Sequence, residues 1–302
     1  MLKNARPDGS PIKVPGFTKI MPMVSGSRTQ STIFFEQDLY LDKTMDFIKE
    51  YNKTRKEGNR RLSVFQLVIA AIGRALIEKP KMNRFVINSR YYQRNHMSVA
   101  FVTKTSLNED AEEVNVMIPL EPLDTIDTVN ERFTQYVDNI KAGGSNTSNS
   151  TVDVMAHVPV FLLNLVINVY CFLDNHNLVT AGMLRAFPFY STVFLANLGS
   201  VQLDSPFHHL FDMGTNGIFL ALGLVKKETY IADDGSLKTR KKMKIIFSYD
   251  DRIIDGFYAG KAIKAIKRNV ENPELMLNKP EITDEQIRAL GITEKGRKLF
   301  AI

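Results

Sequence analysis

At 302 residues, 44% hydrophobic and 24% charged, the chain is long enough for one large domain or two small ones around a real core. The excess of 39 basic over 33 acidic residues is diluted along the sequence, and its local clusters, KTRKK (238–242) and RKEGNRR (55–61), carry no interleaved aromatics, which argues against a nucleic-acid partner and suits an acidic small ligand such as one bearing phosphates. The single cysteine, Cys171, excludes an intrachain disulfide and a Cys/His zinc array, and points to a reducing, cytoplasmic setting.

The opening MLKNARPDGSPIKVPGF has no apolar stretch of the kind a secretion signal needs. Residues 1–14 are expected to be a flexible arm, 15–285 a single domain and 286–302 a tail. The sequons at Asn52, Asn146 and Asn149 are then incidental. STIFFEQDLYL alternates as a strand, and a helix is expected near 43–57. LSVFQLVIAAIGRALIEKP reads as a second helix, with Ser63 at its cap and Pro80 just beyond its end. It is apolar nearly all round, so it should be buried. SRYYQRNHMSVAFVTKT and EEVNVMIPLEP read as two strands. DTIDTVNERFTQYVDNIKAGG is an amphipathic helix whose stripe is Ile126, Val129, Phe133, Val137 and Ile140, ended by Gly143 and Gly144. Residues 143–151 form a polar loop.

The segment that follows, VMAHVPVFLLNLVINVYCFLDNHNLV, is strongly apolar from Val158 to Leu173 and is interrupted by Pro159, Asn164 and Asn168. It falls short of the ~18–20 clean apolar residues of a membrane span. A buried or lid-like helix is expected, with a protein partner or a membrane surface as the alternative cover. STVFLANLGSV, NGIFLALGLVKK and MKIIFSY are strand signals. DGFYAGKAIKAIKRNVENPEL is an amphipathic helix with Ile263, Ile266 and Val270 inward. Helices and strands mix throughout, so the class is α/β or α+β.

Chemistry-bearing residues gather in FSYDDRIIDGFYAG (247–260), where Asp250, Asp251 and Asp255 surround Arg252. Asp255 precedes a helix and can serve as its N-cap, and Asp250 and Arg252 can form a local ion pair. His208 and His209, in SPFHHLFDMG, suit a surface or interface pair, or a base moved from elsewhere. A shared metal is disfavoured, because neighbours on a strand point to opposite faces. His96, His157 and His176 have no motif around them, and Cys171 lies in an apolar run unsuited to a nucleophile.

Several pieces fall in a familiar order. SYDDRIIDGFYAGKAIKAIKRNVENPEL resembles the D-H-R-x-x-D-G, helix, E-N-P-E ending of dihydrolipoyl acyltransferase catalytic domains of 2-oxoacid dehydrogenase complexes. STVFLANLGSV is similar to their F-T-x-S-N-L-G strand, and SPFHHLFDMGTNGIFLALG to their T-P-I-I-N loop and A-I-L-G strand. KPKMNRFV resembles H-P-x-x-N, and VNVMIPLEPLDTIDTV resembles G-L-x-x-P-V-I with its helix. The resemblance covers roughly residues 15–280 and extends to chloramphenicol acetyltransferase, which shares the fold. It implies a mixed sheet flanked by helices, assembled as a trimer with sites between subunits. It also implies a His base that deprotonates a thiol or alcohol for attack on an acyl thioester, a strand Ser that donates to the oxyanion, and a D-G aspartate that holds the loop.

This sequence departs at both reacting positions: Asp251 stands in place of the His, and Ala196 in place of the Ser. Asn197, Leu198, Gly199, Asp255 and Gly256 keep the pattern. The family's N-terminal Arg has no counterpart within TKIMPMVSGS. Residues 145–188 occupy a place where the family has a short link. Carried over by position, catalytic roles fall on Asp251 and Asp255. Contacts to substrate or coenzyme A fall on Asn197, Gly199, Ser205, His208, His209 and Arg252, with no metal and no covalently bound cofactor. The resemblance implies a homotrimer that binds an acyl-CoA or acylated carrier, with transfer weakened, altered or lost. The alternative is a non-catalytic trimeric scaffold that binds a protein through the 145–188 insertion.

Overall fold

The computed structural model describes residues 6–55, 58, 60–104, 113–141 and 158–300. The loop expected at 143–151, with Asn146 and Asn149, and His157 lie outside them, as does the side chain of Ile140. The fold is mixed α/β. Strands β2 (Thr32–Tyr40), β5 (Met97–Lys104), β6 (Glu113–Leu120), β7 (Val193–Asn197), β8 (Ile218–Ile231) and β9 (Leu237–Asp250) form a six-stranded sheet in the order β2-β9-β8-β7-β5-β6. β7 runs parallel to both β5 and β8, and the remaining pairs are antiparallel. A second sheet, β1 (Gly9–Pro11), β4 (Arg90–Arg94) and β3 (Arg84–Ile87), has the order β1-β4-β3.

Two expectations are corrected here. SRYYQRNHMSVAFVTKT is not one strand: the chain leaves the small sheet after Arg94 and enters the large one at Met97. Asn95 makes the corner, taking the carbonyl of Asp8 through its backbone N–H at 3.1 Å and that of Pro7 through its side chain at 2.9 Å. From residue 6 on, the expected N-terminal arm is not free either. β1 pairs with β4, and the buried Arg6 guanidinium bridges Asp8 (2.9 Å) and Asp174 (2.7 Å). Tyr190 donates to the second oxygen of Asp174 at 2.8 Å, so arm and insertion share one buried polar network. The C-terminal tail packs as well, burying Leu290, Leu299 and Phe300.

One face of the large sheet carries the main core. Helices α1 (Met21–Val24) and α2 (Asp42–Thr54) precede α3 (Val64–Glu78), which is buried along most of its length as its all-apolar circumference requires. At its start the Gln66 side chain accepts from the backbone N–H of Ser63 at 2.9 Å. α4 (Ile126–Lys141) buries Ile126, Val129 and Val137 of its stripe. The insertion forms α5 (Val160–Asn175) and α6 (Ala181–Arg185), and α7 (Gly256–Glu271) follows β9 with Ile263, Ile266 and Val270 inward. The tail adds α8 (Asp284–Leu290) and α9 (Glu294–Arg297). Of the two expectations for the apolar insertion, a buried or a lid-like helix, the buried one does not hold: of α5, only Tyr170 and Asp174 are buried. The basic run 238–242 lies on the long β8–β9 hairpin, where Arg240 and Lys242 pair with Glu228.

Candidate active site

The three carboxylates that the sequence brings together are separated by the end of β9 into three different jobs. Asp250 is the last residue of the strand and has no exposed surface. Arg252 folds back onto it with two contacts of 2.8 Å, and its third nitrogen reaches the carbonyl of Gly26 at 2.9 Å. Arg252 is therefore not turned toward a substrate: it is buried and its guanidinium is occupied. Asp255 is the N-cap of α7, accepting from the backbone N–H of Tyr258 at 2.8 Å. Its carboxylate satisfies an otherwise unpaired helix-end amide and favours the positive end of the helix dipole.

Asp251 is the half-buried residue between them. Its backbone N–H donates to the carbonyl of Ser31 at 3.0 Å. Burial raises its carboxyl above the usual range, and the negative charges of Asp250 and Asp255 push in the same direction. Arg252 and Arg28, the two arginines near this turn, both lie against Asp250, so neither holds Asp251 down. Burial also raises the hydroxyl of neighbouring Tyr249 to about 12, with Asp251 and Asp255 adding to the shift.

The second arginine is Arg28, which lies one residue beyond the stretch searched for an N-terminal counterpart. It is buried, with Nε 3.7 Å from Asp250. Its other nitrogens take the carbonyls of Phe211 (2.7 Å) and Gly214 (2.8 Å). Beside it, the Thr29 hydroxyl donates to Leu210 at 2.7 Å. One short segment thus fixes both the β9 turn and the histidine loop. Its partner is Asp250, not the aspartate of the D-G pair.

Ala196 lies near the end of β7, level with Ala221 of β8 and Ile246 of β9. It packs on the small apolar cluster of Phe194, Leu210, Phe219 and Ile246, on the sheet face opposite the main core. Asn197 is exposed and accepts from the Ser200 hydroxyl at 2.7 Å. Gly199 lies against the irregularity in β8 between Leu222 and Val225, where an added Cβ would come within 2.6 Å of the Gly223 carbonyl oxygen. Its role here is close backbone approach. Ser205 donates to the carbonyl of Lys244 at 2.6 Å.

His208 is half-buried. Its ring stacks on Phe219 at 4.0 Å and 3°, on the same sheet face as Ala196. The Ser248 hydroxyl donates to its carbonyl at 2.5 Å. His209 is exposed and lies beside it, the two rings 5.0 Å apart. Of the remaining histidines, His96 is buried, and burial followed by the charge of Arg94 brings it down to about 3, so it is neutral. Among the described residues no cluster of His, Cys, Asp and Glu has the makings of a metal site. Burial raises the Cys171 thiol, which keeps it protonated and unreactive.

The register also separates Asp251 from Ala196. Asp251 follows the residue paired with Thr32, while Ala196 is level with Ile246, four residues back from Asp250 along β9. At ~3.3 Å per residue and ~4.8 Å per strand, they stand on the order of 15–20 Å apart in one chain.

The six-stranded mixed sheet flanked by helices, with a tight turn leading from β9 into the capped helix α7, is an acyltransferase-type fold. The family of 2-oxoacid dehydrogenase acyltransferase catalytic domains matches residues 18–108 and 191–278, and the chain belongs to it. No curated protein matches the chain in sequence. Among solved structures it is similar to a probable dihydrolipoamide acetyltransferase from Listeria monocytogenes 4b F2365, at 16% identity and a TM-score of 0.58, over 86% of this chain and 94% of that one. It is also similar to the cubic core of a pyruvate dehydrogenase multienzyme complex, at 12% identity and 0.57, over 89% and 95%. The dihydrolipoamide acetyltransferase of Azotobacter vinelandii gives 13% and 0.57, over 89% and 95%. At these identities the likeness is one of fold.

Proposed function

We propose that the chain is an acyl-thioester-dependent acyltransferase with altered catalysis, in which Asp251 serves as the base. Its substrate is an acyl-CoA or an acylated carrier, and its acceptor a thiol or alcohol. The observation that carries this reading is the setting of Asp251: it lies at the β9–α7 turn, where the family resemblance puts the base, its carboxyl raised by burial and by two carboxylates, with both nearby arginines directed elsewhere. Asp251 takes the acceptor's proton, the acceptor attacks the thioester carbonyl, and the departing thiolate recovers the proton. An ordinary thiol has a pKa near ~8.5 and an ordinary Asp near ~3.9, and each unit of mismatch costs ~1.4 kcal/mol, so the upward displacement of the Asp251 carboxyl works in the direction that proton transfer requires. Without a hydroxyl on Ala196, one oxyanion donor is missing, a change that typically costs ~100–1,000-fold. Because the two positions are far apart within one chain, the site is formed between copies of a homotrimer.

Turnover from an acyl-CoA to thiol or alcohol acceptors tests the assignment. Asp251→Asn should abolish it, while Asp251→His with Ala196→Ser should raise it by ~100-fold or more, through an imidazole of pKa near ~6.5 and a restored donor. If Asp251→Asn is mild and His208→Ala or His209→Ala is severe, the base lies on the 202–216 loop instead. A wild type with no turnover and no coenzyme A binding by calorimetry would leave the chain as a scaffold.

A further inference from the structure

Helix α5 is apolar on two opposite faces. Leu163, Ile167, Tyr170 and Asp174 turn toward the body of the protein, where Tyr170 packs with Val179, Leu184 and Tyr190. At 100° per residue the opposite side carries Leu162, Leu165, Val169 and Phe172, which are 41, 58, 49 and 58% exposed. Phe161 at 78% and Val166 at 48% flank them. A helix end or a single exposed leucine needs no explanation, but a continuous outward apolar stripe does.

We propose that this outward face is a homotypic docking surface, on which two copies of the chain pair their α5 helices antiparallel about a two-fold axis. Three features favour a second copy. The spacing 162, 165, 169, 172 advances by three, four and three residues, the repeat of a helix–helix seam. It is symmetric about position 167, so in an antiparallel pair Leu162 meets the partner's Phe172 and Leu165 meets the partner's Val169. That self-complementarity is what an isologous contact requires. The helix carries no lysine, arginine or glutamate, and its one acidic residue, Asp174, is buried against Arg6, so no like charges oppose the pairing. The exposed side chains offer on the order of 600 Å² per copy, close to the ~800 Å² per partner of a stable interface.

A lipid surface is the weaker occupant. The helix has none of the flanking lysines or arginines on which interfacial helices rely, and no helix among the described residues is long and apolar enough to cross a membrane. The pairing does not depend on whether the site is active.

Light scattering of the full chain tests the pairing. The wild type should have at least twice the molar mass of Leu165→Glu/Val169→Glu, with circular dichroism and thermal unfolding showing that the variant is folded. Equal masses would overturn the proposal. Register is tested in a Cys171→Ser background. Under mild oxidation, Leu165→Cys mixed with Val169→Cys should give a disulfide-linked dimer, and neither alone should. Linking by each variant alone, with no gain on mixing, would exclude the antiparallel seam. If the wild type instead co-sediments with phosphatidylcholine/phosphatidylglycerol vesicles and the glutamate variant does not, the face is a membrane contact and the pairing is wrong.

Discussion

Asp251 bears on stability as well as on the proposed proton transfer. Its folded-state pKa lies above the unfolded value of 3.8, so the folded protein holds this proton more tightly than the unfolded chain does. The contribution is favourable at low pH and is lost as the pH rises through that raised value. Removing the charge should therefore help at neutral pH. We expect Asp251→Asn to be more stable than wild type at pH 7, by less than about 1 kcal/mol because the site is half-exposed and screened. The difference should vanish below pH 3.8. Thermal unfolding of both proteins across that range measures it, and a variant that is less stable at pH 7 would show that the carboxylate is stabilised, not strained. Arg28 belongs to the same scale. Its type and position are visible in the sequence, but its partner is not, because Asp250 becomes the partner only through where β9 ends.

At the scale of elements, the turn after β7 shows what a conserved-looking string can conceal. Asn197, Leu198 and Gly199 match a family pattern near the oxyanion position, and they read equally as substrate contacts or as turn residues. Gly199 is held by geometry, since the 198–201 turn leans on the interrupted stretch of β8. Gly199→Ala should cost about 1–3 kcal/mol, because the Gly223 carbonyl and the Leu224 backbone it would strike have little room to yield. Denaturant unfolding gives the number. A neutral result would free Gly199 for a ligand-binding role. Elsewhere, periodicity joined β4 and β5 into one strand because both alternate in step. The corner at Asn95 depends on Asp8 and Pro7, more than eighty residues away in sequence.

At the scale of the whole molecule, the buried Arg6–Asp8–Asp174–Tyr190 network ties the N-terminal segment to the insertion. Arg6→Ala should cost about 3–5 kcal/mol, since it leaves two buried carboxylates without their cation. Burial alone would push Asp8 up, but the Arg6 guanidinium outweighs it and holds the carboxyl below 3.8. Its stabilisation is thus present above that value and is lost as the pH falls through the lowered one. The variant should accordingly lose the acid branch of the wild-type stability profile that Asp8 contributes. Assembly is the other prediction at this scale. With α5 pairing removed by Leu165→Glu/Val169→Glu, light scattering should give three chains of 34.2 kDa each. A stable monomer at micromolar concentration would refute a site shared between copies.

The sequence by itself determined the mixed α/β class, most of the helices and strands and the acyltransferase family. Each of these is written in local spacing: two-residue and 3.6-residue periods, caps, and short strings in a fixed order. The N-cap role of Asp255 was legible for the same reason. Only the tertiary structure decided that Arg252 turns onto Asp250, that Arg28 joins it there, that Ala196 and Asp251 stand far apart in one chain, and that the insertion helix lies on the surface. These depend on which distant segments meet. Periodicity shows that a helix face is apolar, but whether the chain's own core covers that face is settled by the packing of residues a hundred or more positions away.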